Sequence, residues 1–431
     1  MNPNDDLRTR SRAVADLGDA VAETLDAVRA VDDLAAGLAA YRFELVERAR
    51  QLSELSGQTF GTKNTELTRR AFRAELACAL VIPEVTADRL TSEAYALVHE
   101  LPRTLEALRA GRMRERHARV LVDHLAGLEP ADREAVERLA LPLAETTTVT
   151  RFDRKVRALR EQRAPHDQVE RNRRARDTRD VVLHAEHDGM AWLGASLPAV
   201  EAVAIHARLD GAARSLRRSG DSRTLAQLRA DLLCSVLLAD ADRPGGTPGD
   251  RTTFAAVRPH VVVTVPALTL AGHDDGPAAL EGYGPIDAET ARRLAADSPT
   301  LQRLLTHPHT GAELSLDRTR YRVTEELRTW LRVRDGGCRF PGCAKAARSC
   351  DVDHTQDWAL DGVTSAENLA HLCRSHHTLK HASDWRVHQP PDGAGDVEWT
   401  SPLGRRYRTQ PAFERDPADP AWHPPPDADA A

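Results

Sequence analysis

Apolar residues in the first half of the chain recur at three- and four-residue steps, the spacing that lines one face of an α-helix. Val14, Leu17, Val21, Leu25 and Val28 form one such stripe, and Leu45, Ala49, Leu52 and Leu55 form another. Glu75–Ile82, Thr86–Glu100, Arg114–Leu128, Ala131–Leu141 and Thr150–Arg163 carry the same period, and Leu225, Leu228, Leu232 and Val236 mark one more helix. The pattern predicts a mainly α N-terminal region over residues 1–240, with a few strands. The period changes at Arg179–Pro198, where apolar runs flank Asp188-Gly189, a strong hairpin signal.

Ala241–Arg251 is rich in Pro and Gly and marks a domain edge. Residues 252–335 are expected to be a mixed α/β continuation and connector: a buried strand at His260–Val265, a helix Ala288–Ala296 capped by Asp287, extended chain at Leu314–Val323, and a helix Glu325–Arg334 capped by Thr324. Residues 336–408 form a separate small domain. Residues 409–431, dominated by Pro, Asp and Ala, are expected to be disordered.

Composition narrows the function classes. The net charge is -6 with a pI near 6.3, so a nucleic-acid partner would need a local basic surface rather than the global field. Aromatic residues make up 4%, which argues against rows of base-stacking platforms. The polar start MNPNDDLRTRSR has no apolar core of a secretory signal, and no stretch approaches a membrane span. A cytoplasmic chain with no membrane association is expected. Four of the six cysteines fall inside 36 residues, which in a reducing compartment points to metal rather than disulfides. Cys78 and Cys234 lie in helical patterns and are expected to be buried thiols.

Those four cysteines open the densest chemistry in the chain. Cys338-x4-Cys343 encloses Pro341-Gly342, a bend that lets two thiolates face one ion, and Cys373-x2-His376 supplies a second pair. Cys338, Cys343, Cys373 and His376 make a Cys3His set of structural-zinc type, which closes domains too small for a large core. Cys350 is a spare that could take the place of His376 or pack beside the site.

A second set lies in the same stretch. His377 and His381 are four apart and share one helix face, while Cys373 and His376 point about a quarter turn away. One short helix can therefore serve two metals. Ser349–His354 has the pattern of a strand, and Asn368–Cys373 of its returning partner. In a regular strand Asp353 and His354 point apart, so joint action requires the strand to bend or end there.

The order Asp353-His354, Asn368, His377 resembles the HNH endonuclease motif, a two-stranded hairpin and a helix around one metal. The wider frame, with CRFPGC, CDVDH, ENLAHLC, RSHHTLKH and Trp385-Arg386-Val387, resembles the HNH proteins of the 13E12 repeat family. That family places a largely helical domain of unknown function ahead of the nuclease. LEGYGPIDAETARRL at Leu280–Leu294 and the hairpin DGMAWLGASLP are similar to that upstream domain. The resemblance implies a C-terminal small α+β HNH (ββα-metal) zinc-containing nuclease domain. It implies His354 as general base, Asp353 and His377 as ligands of a catalytic divalent ion, and Asn368 holding the loop or orienting His354. His381 matches a third ligand found in some branches only. The residue chemistry agrees, because a neutral imidazole can take a proton from water near pH 7 and a mixed Asp/His shell suits Mg²⁺ or Mn²⁺, with Ni²⁺ or Zn²⁺ tolerated.

The expected function is thus metal-dependent hydrolysis of phosphodiester bonds in double-stranded DNA, with structural Zn²⁺ and one divalent catalytic ion. The alternative is a catalytically inactive, zinc-stabilised DNA-binding module, which would have no reason to keep Asp353, His354, Asn368 and His377 together. A zinc deaminase is set aside, since Pro341-Gly342-Cys343 lacks the x-x-Cys that should follow. Arg151–Arg179 carries eleven Arg/Lys against five Asp/Glu. Its Arg171, Arg173, Arg174 and Arg176 fit a phosphate-contacting surface as well as they fit a solvated helix face. The helical region could also serve homo-oligomer formation.

Overall fold

The computed structural model describes residues 3–59, 65–164, 168–238, 261–296, 323–360, 362–390 and 395–412. The expected break at Ala241–Arg251, the extended chain at 314–322 and the tail at 413–431 lie outside the described residues. Two compact units divide the chain: residues up to Gln168 together with those from Leu304 onward, and Val169–Arg303.

The first unit begins as a helical bundle: α1 (Pro3–Thr59), α2 (Thr65–Leu80), α3 (Glu84–Tyr95), α4 (Pro102–Arg109), α5 (Glu115–Leu125), α6 (Pro130–Ala144) and α7 (Val149–Arg163). A π-helical turn, Ala96–Glu100, extends α3. The core is aliphatic, with Phe43, Leu97, Leu101, Leu108, Leu121, Leu125 and Phe152 filling gaps between close-packed Ala40, Ala94, Ala118 and Ala140. Small residues let the helices approach, and the larger side chains supply the buried apolar area. Buried Glu137 accepts from the Thr104 backbone N–H at 2.9 Å and its hydroxyl at 2.7 Å, satisfying the start of α4.

The sequence period located α1 but not its packed side. Leu17, Val21, Leu25, Val28, Leu45, Leu52 and Leu55 are exposed, whereas Ala36, Ala40, Phe43 and Val46 are buried. Two apolar stripes run along this helix, and the bundle covers the Ala-rich one.

The C-terminal part of the same unit is a small α+β module. Helix α13 (Glu325–Asp335) starts as expected, with the Thr324 hydroxyl accepting from Leu327 N–H at 3.2 Å. Strands β6 (Asp351–His354) and β7 (Leu369–Leu372) then pair antiparallel, Asp351 opposite Leu372 and His354 opposite Leu369. Helix α14 (Arg374–Ala382) follows, and β8 (Arg386–His388), β9 (Val397–Thr400) and β10 (Arg406–Thr409) form an antiparallel sheet in the order β10-β9-β8. Phe340, Trp385 and Trp399 pack edge to face, and Trp399 donates to the Arg339 carbonyl at 2.8 Å.

Buried charge also holds this module. The Asp335 carboxylate receives Arg334 at 2.7 Å, Arg339 at 2.9 Å, and both the ring and backbone N–H of His371 at 2.9 Å. Arg334 also donates to the carbonyls of Ala366 and Leu369, fixing the approach to β7. Burial alone would raise the Asp335 pKa, but the Arg334 charge, the His371 bond and Arg339 outweigh it and hold the carboxyl well below its usual range.

In the second unit, α8 (Gln168–Asp177) precedes the hairpin β1 (Asp180–Ala185) and β2 (Ala191–Ser196). Asp188 and Gly189 both take positive φ, as the tight hairpin turn requires. Helices α9 (Ala199–Arg218) and α10 (Leu225–Leu238) pack together. Of the strand expected at His260–Val265, Val263–Thr264 pairs as β3, joined by β4 (Ala278–Leu280) and β5 (Gly284–Ile286). Beside this sheet lie α11 (Ala267–Leu270) and α12 (Ala288–Ala296), where Asp287 accepts from Thr290 N–H at 2.8 Å as an N-cap. Cys78 is buried as expected, but Cys234 is exposed, because α10 buries Leu228 and turns Cys234 outward. No helix among the described residues is long and apolar enough to cross a membrane.

Candidate metal centres

Two clusters of metal-ligating side chains lie on different sides of α14. In the first, the donor atoms of Cys338, Cys343, Cys373 and His376 all fall within 4.8 Å of one another. The turn Phe340–Cys343 brings the first two together: Cys343 N–H donates to the Phe340 carbonyl at 3.1 Å, with Pro341 second and Gly342, at φ +73°, third. That is a type II turn, and its third position needs Gly. Cys373 caps α14, and His376 one turn on brings Nδ1 to 3.2 Å from Cys373 Sγ and 3.3 Å from Cys338 Sγ. A tetrahedral zinc site with Zn–S near ~2.3 Å and Zn–N near ~2.0 Å has S···N edges of roughly 3.5 Å. The donor set is therefore dimensioned for such an ion and compatible with zinc.

The packed sulfurs also perturb one another. Cys338 beside Cys343 pushes that thiol strongly up, while hydrogen bonds from Cys338 and Cys343 pull Cys373 strongly down. Only a shared cation would let all three ionise together. Cys350 stays outside the set, its Sγ resting 3.4 Å from the Ala346 carbonyl.

The second cluster is Asp353, His377 and His381, with donor atoms again within 4.8 Å. His377 Nε2 is 3.7 Å from Asp353 Oδ1, and His381 Nε2 is 3.4 Å from Oδ2. Both histidines are partly open to solvent, unlike the buried His376. Strand β6 ends at His354, the next residue, which meets the requirement set by strand alternation. His354 is buried, and its Nε2 lies 2.9 Å from the Thr364 hydroxyl. Burial pushes its pKa down, and Lys380 pushes it further against the pull of Asp353.

Asn368 secures the loop between the strands. Its side-chain oxygen accepts from Gln356 N–H at 2.7 Å and the Thr355 hydroxyl at 2.9 Å, and its nitrogen donates to the Gln356 and Val363 carbonyls. All its polar capacity goes into chain segments 355–356 and 363. His371, a further histidine of the segment, is a core residue satisfied by Asp335.

The structure adds a residue that the sequence reading passed over. Lys380, three residues beyond His377, has a largely covered side chain and donates to Asp353 Oδ2 at 3.0 Å, Asp357 Oδ1 at 2.9 Å and the His354 carbonyl. Burial opposes charge on Asp357, yet the Lys380 bond holds its carboxyl below the ordinary range. Within RSHHTLKH a lysine looks like a helix-end solubilising charge, so no one-dimensional signal marks it.

Residues 10–335 match the family model described as "Domain of unknown function (DUF222)". The chain belongs to the DUF222 family. The uncharacterized protein Rv2100 of Mycobacterium tuberculosis is 30% identical over 469 residues, covering 92% of this chain and 79% of that protein. The uncharacterized protein Rv3776 of the same organism is 33% identical over 287 residues, 59% of this chain, and the chain spans about half, 53%, of its length. No solved structure matches. The DUF222 match ends at Asp335, so both metal clusters lie beyond it.

The basic residues proposed for phosphate contact lie inside the DUF222 match, on α8. Arg173 and Arg174 pair with Glu170 of their own helix at 3.7 and 3.2 Å, and Arg176 reaches Asn172 at 3.2 Å. Arg171 is half-buried and the other three are exposed.

Proposed function

We propose that the module C-terminal to the DUF222 region is an HNH endonuclease of the 13E12 repeat type, hydrolysing phosphodiester bonds of double-stranded DNA with one divalent ion. The observation that carries this reading is the convergence of Asp353, His377 and His381 donors within 4.8 Å at the end of β6, next in chain to a buried His354. Cys338, Cys343, Cys373 and His376 hold a structural Zn²⁺ in this account. A Cys3His site of this kind suits a cytoplasmic location, where thiols stay reduced and available to metal.

His354 takes a proton from the attacking water. Its lowered pKa keeps the ring neutral at pH 7, and the Thr364 hydroxyl, 2.9 Å from Nε2, helps hold the imidazole in place. The water oxygen bonds to phosphorus as the bond to the 3′ oxygen breaks, leaving 5′-phosphate and 3′-hydroxyl ends. Asp353, His377 and His381 would hold Mg²⁺ or Mn²⁺, which when bound stabilises charge on the phosphorane and the leaving oxygen. Lys380 holds Asp353 in place through its bond to Oδ2. Asn368 keeps the loop carrying Thr355 and Gln356 in register with β7.

Incubation with supercoiled plasmid tests the reading. Wild-type protein with Mg²⁺ or Mn²⁺ should cut. His354→Ala should lose a factor of about 10²–10⁴ while keeping zinc and DNA binding. If His354→Ala cuts as fast as wild type, the mechanism is wrong. If neither protein cuts but both bind DNA, the module is a zinc-stabilised binding domain.

A further inference from the structure

We propose that the helical bundle supplies the outer partner of the Cys3His metal centre: Glu84, the first residue of α3, fixes the His376 ring and so links docking of α2 and α3 to metal binding. The inference rests on the metal reading given above and goes beyond it, since it places a DUF222 residue in the metal's environment.

His376 turns Nδ1 toward the sulfurs, so a metal bound there leaves the ring proton on Nε2. A buried N–H needs an acceptor. His376 is 2% exposed, and its Nε2 makes no well-angled hydrogen bond with any described residue. The Glu84 carboxylate is 3.1 Å from it, off the ideal line but in contact. A small rotation of the Glu84 side chain completes a carboxylate–histidine–metal relay, which sets the tautomer and raises the basicity of the ligand. Phe340 stacks on the imidazole face, the ring centroids 4.0 Å apart and the planes 6° from parallel, so the imidazole has little freedom of its own.

The surroundings of Glu84 grip the same metal knuckle. Arg70 of α2 donates to the Ser375 carbonyl at 2.8 Å and its hydroxyl at 2.7 Å, one residue before His376. Gly342, inside the Cys338–Cys343 turn, lies so close to the α2–α3 connection that a Cβ there would come within 3.2 Å of the Ile82 carbonyl. Tyr407 of β10 donates to Glu75 of α2 at 3.0 Å. Three bundle segments therefore meet the loops and helix that carry the ligands, and one of them ends on a ligand's outer nitrogen. Thermodynamic coupling is mutual, so docking that tightens the metal must be tightened by it.

The test measures zinc affinity of the full chain by competition with a chromophoric chelator. Glu84→Ala should weaken zinc about 10–100-fold, and Glu84→Gln, which keeps an acceptor oxygen, should recover part of that loss. Asp88→Ala, one turn along α3, removes the Arg73 ion pair instead and should leave zinc affinity unchanged. In wild type, stripping zinc should raise amide exchange over Thr65–Leu80 and Glu84–Tyr95 but not over Pro130–Ala144. This arm holds even if a Glu84 variant fails to fold. Zinc-loaded wild type with an indifferent Glu84→Ala, or exchange in α2 and α3 that ignores zinc, overturns the coupling alone. Wild-type protein that binds no zinc overturns the metal reading and the coupling with it.

Discussion

The bundle and the C-terminal module share one compact unit but are held together by different physics. The bundle buries Phe, Leu, Val and Ala between helices, and its few buried charges serve as local caps and pairs. The module orders fewer residues around three aromatic rings, a buried carboxylate bound by two arginines and a histidine, and four metal donors. A segment this short cannot bury enough apolar surface to offset its chain entropy, so polar and metal contacts replace hydrophobic area. The same economy brings reactive side chains close together.

The contrast predicts unequal responses to damage. A Cys338→Ser, Cys373→Ser double variant should lose zinc and the folded module, since structural zinc contributes an apparent ~10–16 kcal/mol in small metallo-domains. Circular dichroism should still report the bundle helices, while limited proteolysis removes residues beyond 336. Retained zinc and an unchanged melting temperature would dissolve the distinction between the two regions.

Asp335→Asn comes next. Removing one partner from a buried charge cluster costs about 3–5 kcal/mol, read by urea unfolding. Because the folded pKa is depressed, the stabilisation is present above the unfolded carboxyl value of about 4 and fades as pH falls through the folded value. Wild type should therefore lose stability in acid more steeply than Asp335→Asn, and parallel curves would remove the cluster's assigned role.

Leu121→Ala probes the other region. It should cost about 2–5 kcal/mol while leaving zinc content intact, whereas zinc loss would show that the regions do not separate. Smallest in stability, within about 0.5 kcal/mol, is the joint change of Arg171, Arg173, Arg174 and Arg176 to Gln. If these side chains meet phosphate, DNA binding should weaken and its salt dependence flatten. An unchanged salt slope makes α8 a solvated face, as its pairing with Glu170 already allows.

Legibility in the sequence followed the same division. Helical period located most bundle helices, yet it did not reveal the packed side of α1, because Leu17, Leu45 and Leu52 outrank Ala36 and Ala40 in hydrophobicity while only the alanines permit close helix contact. In the module, spacing alone brought out Cys338, Cys343, Cys373 and His376, since turn and helix geometry are local. Lys380, Thr364 and Glu84 were not legible. Each acquires its role from a contact distant in sequence, and Glu84 lies 292 positions before His376.

The central claim is that α14 serves two separate metal sets. Native mass spectrometry of the full chain titrated with Mn²⁺ measures this directly. Wild type should carry one tightly held Zn²⁺ and take up one Mn²⁺. Asp353→Ala with His377→Ala should keep the zinc and lose the manganese, and Glu84→Ala should weaken only the zinc. Loss of both ions together from the Asp353/His377 variant, or manganese uptake unchanged by it, would contradict the account.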